Sequence, residues 1–118
     1  MPKNKKYKGT VLLVEDEISR VYLEESLEKA GYLVVSFEKG REVVEYIEGG
    51  FRYNVAIIDR CLSDISGDDI MKLSKRINPQ AKVFNLSSYP DNVRYADGNF
   101  FKPVSTREMI NTLDRILT

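Results

Sequence analysis

Three acids and a lysine each stand immediately after an apolar run. Val11-Leu12-Leu13-Val14 leads into Glu15-Asp16, Val55-Ala56-Ile57-Ile58 leads into Asp59, and Phe100-Phe101 leads into Lys102-Pro103. Gathered at one place, these side chains suit a hard divalent cation such as Mg²⁺, which takes oxygen ligands, together with an anion such as a phosphoryl group. Carboxylates about 4 Å apart repel by roughly 4 kcal/mol at an effective dielectric of 20. Such a cluster costs stability until a cation offsets it. A carboxylate is also a recognised covalent nucleophile. Attack on phosphorus spreads charge over three equatorial oxygens, so its catalysis is mostly positioning and electrostatics. The chain has no histidine. That excludes Ser-His-Asp and Cys-His catalysis within it and removes the commonest transition-metal ligand.

For these side chains to meet, the runs that precede them must be neighbouring parallel strands. Ligands of open α/β sheets bind beyond the carboxyl ends of the strands. The rest of the chain fits that requirement. Strands are expected at Thr10 to Val14, Tyr32 to Phe37, Val55 to Asp59, Lys82 to Leu86 and Asn99 to Phe101. Between them, helical spacing runs over Ile18 to Ala30 (through Ile18, Val21, Tyr22, Leu23, Leu27 and Ala30), Arg41 to Glu48 and Asp68 to Ile77. Gly31 and Gly49-Gly50 end the first two. Ser105-Thr106-Arg107-Glu108 is a capping box that opens a last helix, with Met109, Ile110, Leu113, Ile116 and Leu117 inward. Alternating strands and helices imply right-handed βαβ units and a parallel sheet, an α/β fold. The alternation fails once. Only about a dozen residues, Ser87 to Gly98, separate the last two strands, near the minimum for a parallel crossover. Pro90, Asp91, Asn92, Asp97 and Gly98 weaken a helix there, so a single turn or an irregular loop is expected. Asp64 and the pair Asp68-Asp69 read as caps of the third helix.

Length and composition set the outer bounds. The chain has 118 residues, 42% hydrophobic and 31% charged, with formal net charge zero. One domain is expected over 10–118, after a lysine-rich tail over 1–9. With no basic surplus, nucleic acid is not an expected partner. No run approaches the ~18 apolar residues of a membrane span, and the start lacks the apolar stretch of a secretory signal. The single Cys61 excludes an internal disulfide and fits a reducing cytoplasm.

The residues now quoted resemble the receiver domain of two-component response regulators. The similarity rests on Leu12-Leu13-Val14-Glu15-Asp16-Glu17, on Asp59-Arg60-Cys61-Leu62-Ser63-Asp64-Ile65-Ser66-Gly67, on Leu86-Ser87-Ser88 and on Lys102-Pro103, in that order and at about the family's spacing. The resemblance implies a doubly wound, flavodoxin-like sheet of five parallel strands in the order 2-1-3-4-5, with the fourth helix short or missing. It implies that Asp59 accepts a phosphoryl group and that Glu15 and Asp16 help hold Mg²⁺ (or Mn²⁺). The metal's further ligands would be Asp59 and the backbone carbonyl of Cys61. Ser87 would contact the phosphoryl group, and Lys102 would pair with it. The phosphodonor would be a sensor histidine kinase or a phosphotransfer protein, supplying the phosphohistidine that this chain lacks. As the chain ends after its last helix, a stand-alone, cytoplasmic receiver is expected, signalling by binding an unknown downstream protein or passing the phosphoryl group on. It would not be a turnover enzyme.

Two departures bear on output. The shortened crossover removes most of a surface that partners of this family often read. Asn99 stands where the family usually has a switching aromatic. The alternative is therefore a pseudo-receiver, a binding module no longer driven by phosphate. A phosphatase of the haloacid dehalogenase type would need a second carboxylate at the position of Cys61. A flavin-binding domain would need a phosphate-cradling loop where Glu15 and Asp16 stand.

Overall fold

The structure is a computed structural model, and it describes residues 6–15, 18–89 and 93–117. Asp16, one of the expected metal ligands, lies outside the described residues, as do Pro90, Asp91 and Asn92 of the crossover. The elements in chain order are β1 (Thr10–Val14), α1 (Ser19–Lys29), β2 (Leu33–Phe37), α2 (Gly40–Glu48), β3 (Val55–Asp59), α3 (Gly67–Ile77), β4 (Lys82–Ser87), β5 (Gly98–Phe101) and α4 (Thr106–Leu117). All strands are parallel and lie in the order β2-β1-β3-β4-β5, as expected.

Side chains alternate across the sheet, and each face is covered, which is why β1 and β3 read as unbroken apolar runs. Val11, Leu13, Val55, Ile57, Phe84 and Leu86 pack with Leu23 and Leu27 of α1 and Met109 and Leu113 of α4. Leu12, Val14, Ala56, Ile58 and Val83 pack on the other face with Val43 and Ile47 of α2 and Ile70 and Met71 of α3. Each fully buried aliphatic side chain contributes roughly 1.5–3 kcal/mol, so these two layers hold the sheet whose rim carries the charged residues.

The crossover from β4 to β5 is helix-free among its described residues. Val93, Tyr95 and Ala96 pack partly buried onto the α2/α3 face, where a helix would otherwise lie. Asp97 fastens this segment: its carboxylate accepts the Val83 N–H and an ion pair from Lys75 on α3. Lys72 and Arg94 each lie within 6 Å of the Tyr95 ring centre, at 5.9 and 5.8 Å, close enough for cation–π attraction.

Three readings of local sequence need correction, the first being that Ile116 of α4, expected inward, is exposed, with only Met109 and Leu113 of that helix buried. Asp64 does not cap α3. Its two carboxylate oxygens accept the Gly40 and Arg41 N–H groups, so it caps α2 from across the sheet face, and those bonds hold its carboxyl below the usual carboxylate range. Ser66 caps α3 instead, accepting the Asp68 N–H. In α1 the helical spacing is real, but only Leu23 and Leu27 are buried, whereas Ile18, Val21 and Tyr22 are exposed. Spacing reports a shared face, and two side chains were enough to fill the space beneath it.

Candidate functional site

The register of the sheet brings the expected residues to one rim. Val14 pairs with Ile58, Asp59 with Leu86, and Ser87 with Phe101. Glu15, Asp59, Ser87 and Lys102 are therefore the last or next residues of four adjacent strands. The Glu15 N–H donates to Phe37 O, and the Lys102 N–H donates to Ser87 O. Both residues thus extend the strand ladder and cannot swing away from it.

Side-chain contacts join three of the four. The Lys102 ammonium donates to Asp59 Oδ2 at 3.0 Å and to Glu15 Oε1 at 3.2 Å. The two carboxylates are almost fully buried, Glu15 at 1% and Asp59 at 3% exposure, whereas the lysine keeps 20% of its side chain in solvent. Burial, the hydrogen bond to Asp59 and the nearby Asp59 charge push the Glu15 carboxyl up to about 7, against the opposing pull of Ser19 and Lys102. Two carboxylates that share one lysine remain under-neutralised at neutral pH. A hard cation with oxygen ligands fits that deficit in charge.

The second oxygen of each carboxylate is also held. Ser19 Oγ donates to Glu15 Oε2 at 2.9 Å, and the Cys61 N–H donates to Asp59 Oδ1 at 2.9 Å. Neither donor was named from sequence, although Ser19, four residues after Glu15, is at the spacing of one helical turn. Cys61, whose carbonyl is the expected metal ligand, is exposed beside the site. Ser87 is buried, and its hydroxyl accepts the Tyr89 N–H at 3.1 Å, closing a turn at the end of β4. The hydroxyl oxygen is thus engaged in the loop, and its O–H is still a donor.

Gly67 sets the path of the loop after β3. Its N–H donates to Arg60 O. A Cβ there would stand 2.3 Å from Asp59 O and 2.6 Å from Arg60 Cα. Only glycine lets the start of α3 lie against the backbone of Asp59. Arg60 forms an ion pair with Asp68 over the same loop.

Farther along β4 and β5, Asn85 Nδ2 donates to Asn99 Oδ1 at 3.1 Å. These residues are register partners. Asn85 is fully buried, and its Oδ1 has no hydrogen-bond partner among the described residues. On the other side of the site, Tyr22, Leu23, Pro103 and Val104 line a cavity of about 320 Å³ that opens onto Glu15 and Lys102.

Comparison with known proteins agrees with this geometry. The response regulator receiver domain family matches residues 11–114. The response regulator receiver protein CpdR of Brucella abortus is 25% identical over 91% of this chain and 95% of its own length. A cyclic di-GMP phosphodiesterase of Thermotoga maritima is 35% identical over 70% of the chain, which spans only 22% of that longer protein. Among solved structures, the response regulator TrrA of Thermotoga maritima, in complex with Mg(2+)-BeF, superimposes with a TM-score of 0.81 and 25% identity over 92% of this chain and 98% of its own. No helix among the described residues is long and apolar enough to cross a membrane. With the strand order, the rim and the family match in agreement, the chain belongs to the response regulator receiver domain family, a family of signalling domains.

Proposed function

We propose that this chain is a phosphoacceptor switch in which Asp59 takes a phosphoryl group from the phosphohistidine of a sensor histidine kinase or a phosphotransfer protein. The observation that carries the reading is the Lys102 ammonium set between two buried carboxylates at 3.0 and 3.2 Å. In the transfer, an Asp59 carboxylate oxygen forms the new O–P bond while the N–P bond of the donor breaks. Lys102 is placed to turn from the carboxylates to the phosphoryl oxygens, and the backbone N–H of Cys61 keeps the acceptor carboxylate oriented. Mg²⁺, held by Glu15, Asp16, Asp59 and the Cys61 carbonyl, would supply positive charge against the phosphoryl oxygens. The acyl phosphate adds about 1.5–2 negative charges. That charge draws Lys102 from Glu15 and gives the Ser87 O–H an oxygen to donate to, while the hydroxyl oxygen accepts the Tyr89 N–H. Residues 88–89 and 93–97 then respond, and an unidentified downstream protein reads them.

The donor's approach has a natural place. The cavity beside α1 is apolar where Tyr22, Pro103 and Val104 line it and ends at the charged rim. Ile18 and Val21, at and within the first turn of α1, are exposed as well. An apolar helix carrying the phosphohistidine would cover side chains that α1 leaves in solvent.

One experiment tests the reading. The protein is incubated with Mg²⁺ and acetyl phosphate and followed by intact mass, with beryllofluoride and NMR as a second arm. Expected are a single phosphoryl adduct, shifts centred on Asp59, and no adduct on Asp59→Asn. Wild-type labelling of that variant would overturn the assignment of the acceptor. A wild-type chain that neither binds Mg²⁺ nor takes up phosphoryl would favour the pseudo-receiver, a reading that Asn99 and the helix-free described part of the crossover support.

A further inference from the structure

The end of the sheet opposite Asp59 carries a second cleft, and its chemistry is the reverse of the first. Its volume is about 300 Å³. Thr10 and Lys82, the first residues of β1 and β4, line it with Arg52 and Asn54, which precede β3, and with Gln80. At about 3.3 Å per residue, five-residue strands separate it from the acidic rim by roughly 15 Å. Its lining includes two cations and no carboxylate among the described residues. Neither Arg52 nor Lys82 has an ion-pair partner among the described residues. In a chain of net charge zero, two cations around one cavity with no carboxylate among its described lining residues are a local departure.

The backbone that carries the two cations is fixed. The Asn54 N–H donates to Thr10 O, and the Lys82 N–H donates to Asn54 O. Asn54 Oδ1 accepts the Thr10 N–H at 2.8 Å, which fixes the amide with its NH₂ as an exposed donor at the cleft. Buried Asn78 donates to Tyr53 O behind them. The floor is apolar, formed by Ile116, which is 40% exposed, and Leu117. Two opposing influences are present. The carboxyl-terminal end of α4 brings partial negative charge, and Lys82 lies within electrostatic reach of Asp97, which Lys75 already engages. Both cations are therefore needed to make the cleft favourable for an anion.

We propose that this cleft binds a small organic anion, a carboxylate or a phosphate monoester with an apolar body. The charged group lies between Arg52 and Lys82 near the Asn54 amide, and the apolar body rests on Ile116 and Leu117. The site is independent of phosphoryl transfer at Asp59, so its failure would leave that reading untouched.

Benzoate and phenyl phosphate are the probes, titrated into the full chain without Mg²⁺ and followed by NMR of backbone amides, the Asn54 and Gln80 side-chain amides and the Ile116 and Leu117 methyl groups. Expected are saturable shifts confined to these groups, with dissociation constants of about 1 mM or tighter. Arg52→Ala and Lys82→Ala should each weaken binding about tenfold. Both positions are exposed, so the variants keep the wild-type spectrum elsewhere. Inorganic phosphate, with no apolar body, should bind more weakly than phenyl phosphate. Shifts that do not saturate by about 10 mM, that spread over lysines and arginines generally, that centre on Asp59, or that survive the double variant would overturn the proposal.

Discussion

The charged half of the rim and the crossover beside it are built by different means. Glu15, Asp59 and Lys102 sit on strand ends whose positions follow from the ladder, and their charges meet because three parallel strands stop together. The described residues between Ser87 and Gly98 have no such scaffold. They are held by tertiary contacts, chiefly Asp97 with Lys75 and the Val83 N–H, and Tyr95 near Lys72. The first half stores electrostatic strain in a rigid frame. The second is a cover fastened by side-chain contacts, which a charge change at the first could move.

The largest test of that contrast is Lys102→Met. It leaves two buried carboxylates without their shared cation, and removing one partner of a buried ion pair typically costs about 3–5 kcal/mol. Urea unfolding at pH 8 without metal should show a loss of that order, and intact mass should show phosphoryl uptake abolished. A loss below about 1 kcal/mol would mean that the cluster is not strained.

Gly67→Ala attacks the same half through the backbone. With its Cβ at 2.3 Å from Asp59 O, the loop must shift, at a cost of about 2–3 kcal/mol. Thermal unfolding should register this as a lower Tm, with slower phosphoryl uptake because Asp59 moves too.

The pH dependence sharpens the point about stored strain. The folded-state Glu15 carboxyl titrates at about 7, above its ordinary 4.5. The folded state therefore favours the protonated acid. Its contribution is fully present below about 4.5 and is lost as pH rises through 7. Glu15→Gln cannot ionise, so the variant's stability relative to wild type should improve between pH 5 and pH 8, by on the order of 2 kcal/mol. A constant difference across that range would remove the assignment.

The smallest effect is expected in the cover. Asp97→Ala removes an ion pair and one hydrogen bond to a strand N–H, a loss of about 1–2 kcal/mol. Hydrogen exchange should rise in residues 93–97, while labelling of Asp59 by acetyl phosphate stays near wild type. Equal damage to labelling would show that the two halves are one cooperative unit.

Much of this was legible in the residues. Parallel strands buried on both faces must be apolar throughout, so β1 and β3 announced themselves, and a charged residue directly after each run had to fall at the rim. The capping box at Ser105 was equally local, with Ser105 Oγ accepting the Glu108 N–H. Long-range partners were not legible. Asp64 sits next to α3 in sequence yet caps α2, because folding brings the start of α2 against that loop. Ser19 and the Cys61 N–H hold the second carboxylate oxygens by contacts that spacing alone did not single out. The burial of only two of the apolar residues on α1 was decided by what packs above it.

The sequence by itself determined the class of fold, the end of the sheet where the acids collect and the kind of chemistry they suit, since alternation, apolar runs and residue type are local properties. Only the tertiary structure decided which oxygens Lys102 holds, how far burial raises Glu15, which N–H the Ser87 hydroxyl accepts and that Arg52 and Lys82 share a cleft at the far end. Those depend on distances and desolvation between residues remote in the chain, which exist only once the sheet has closed.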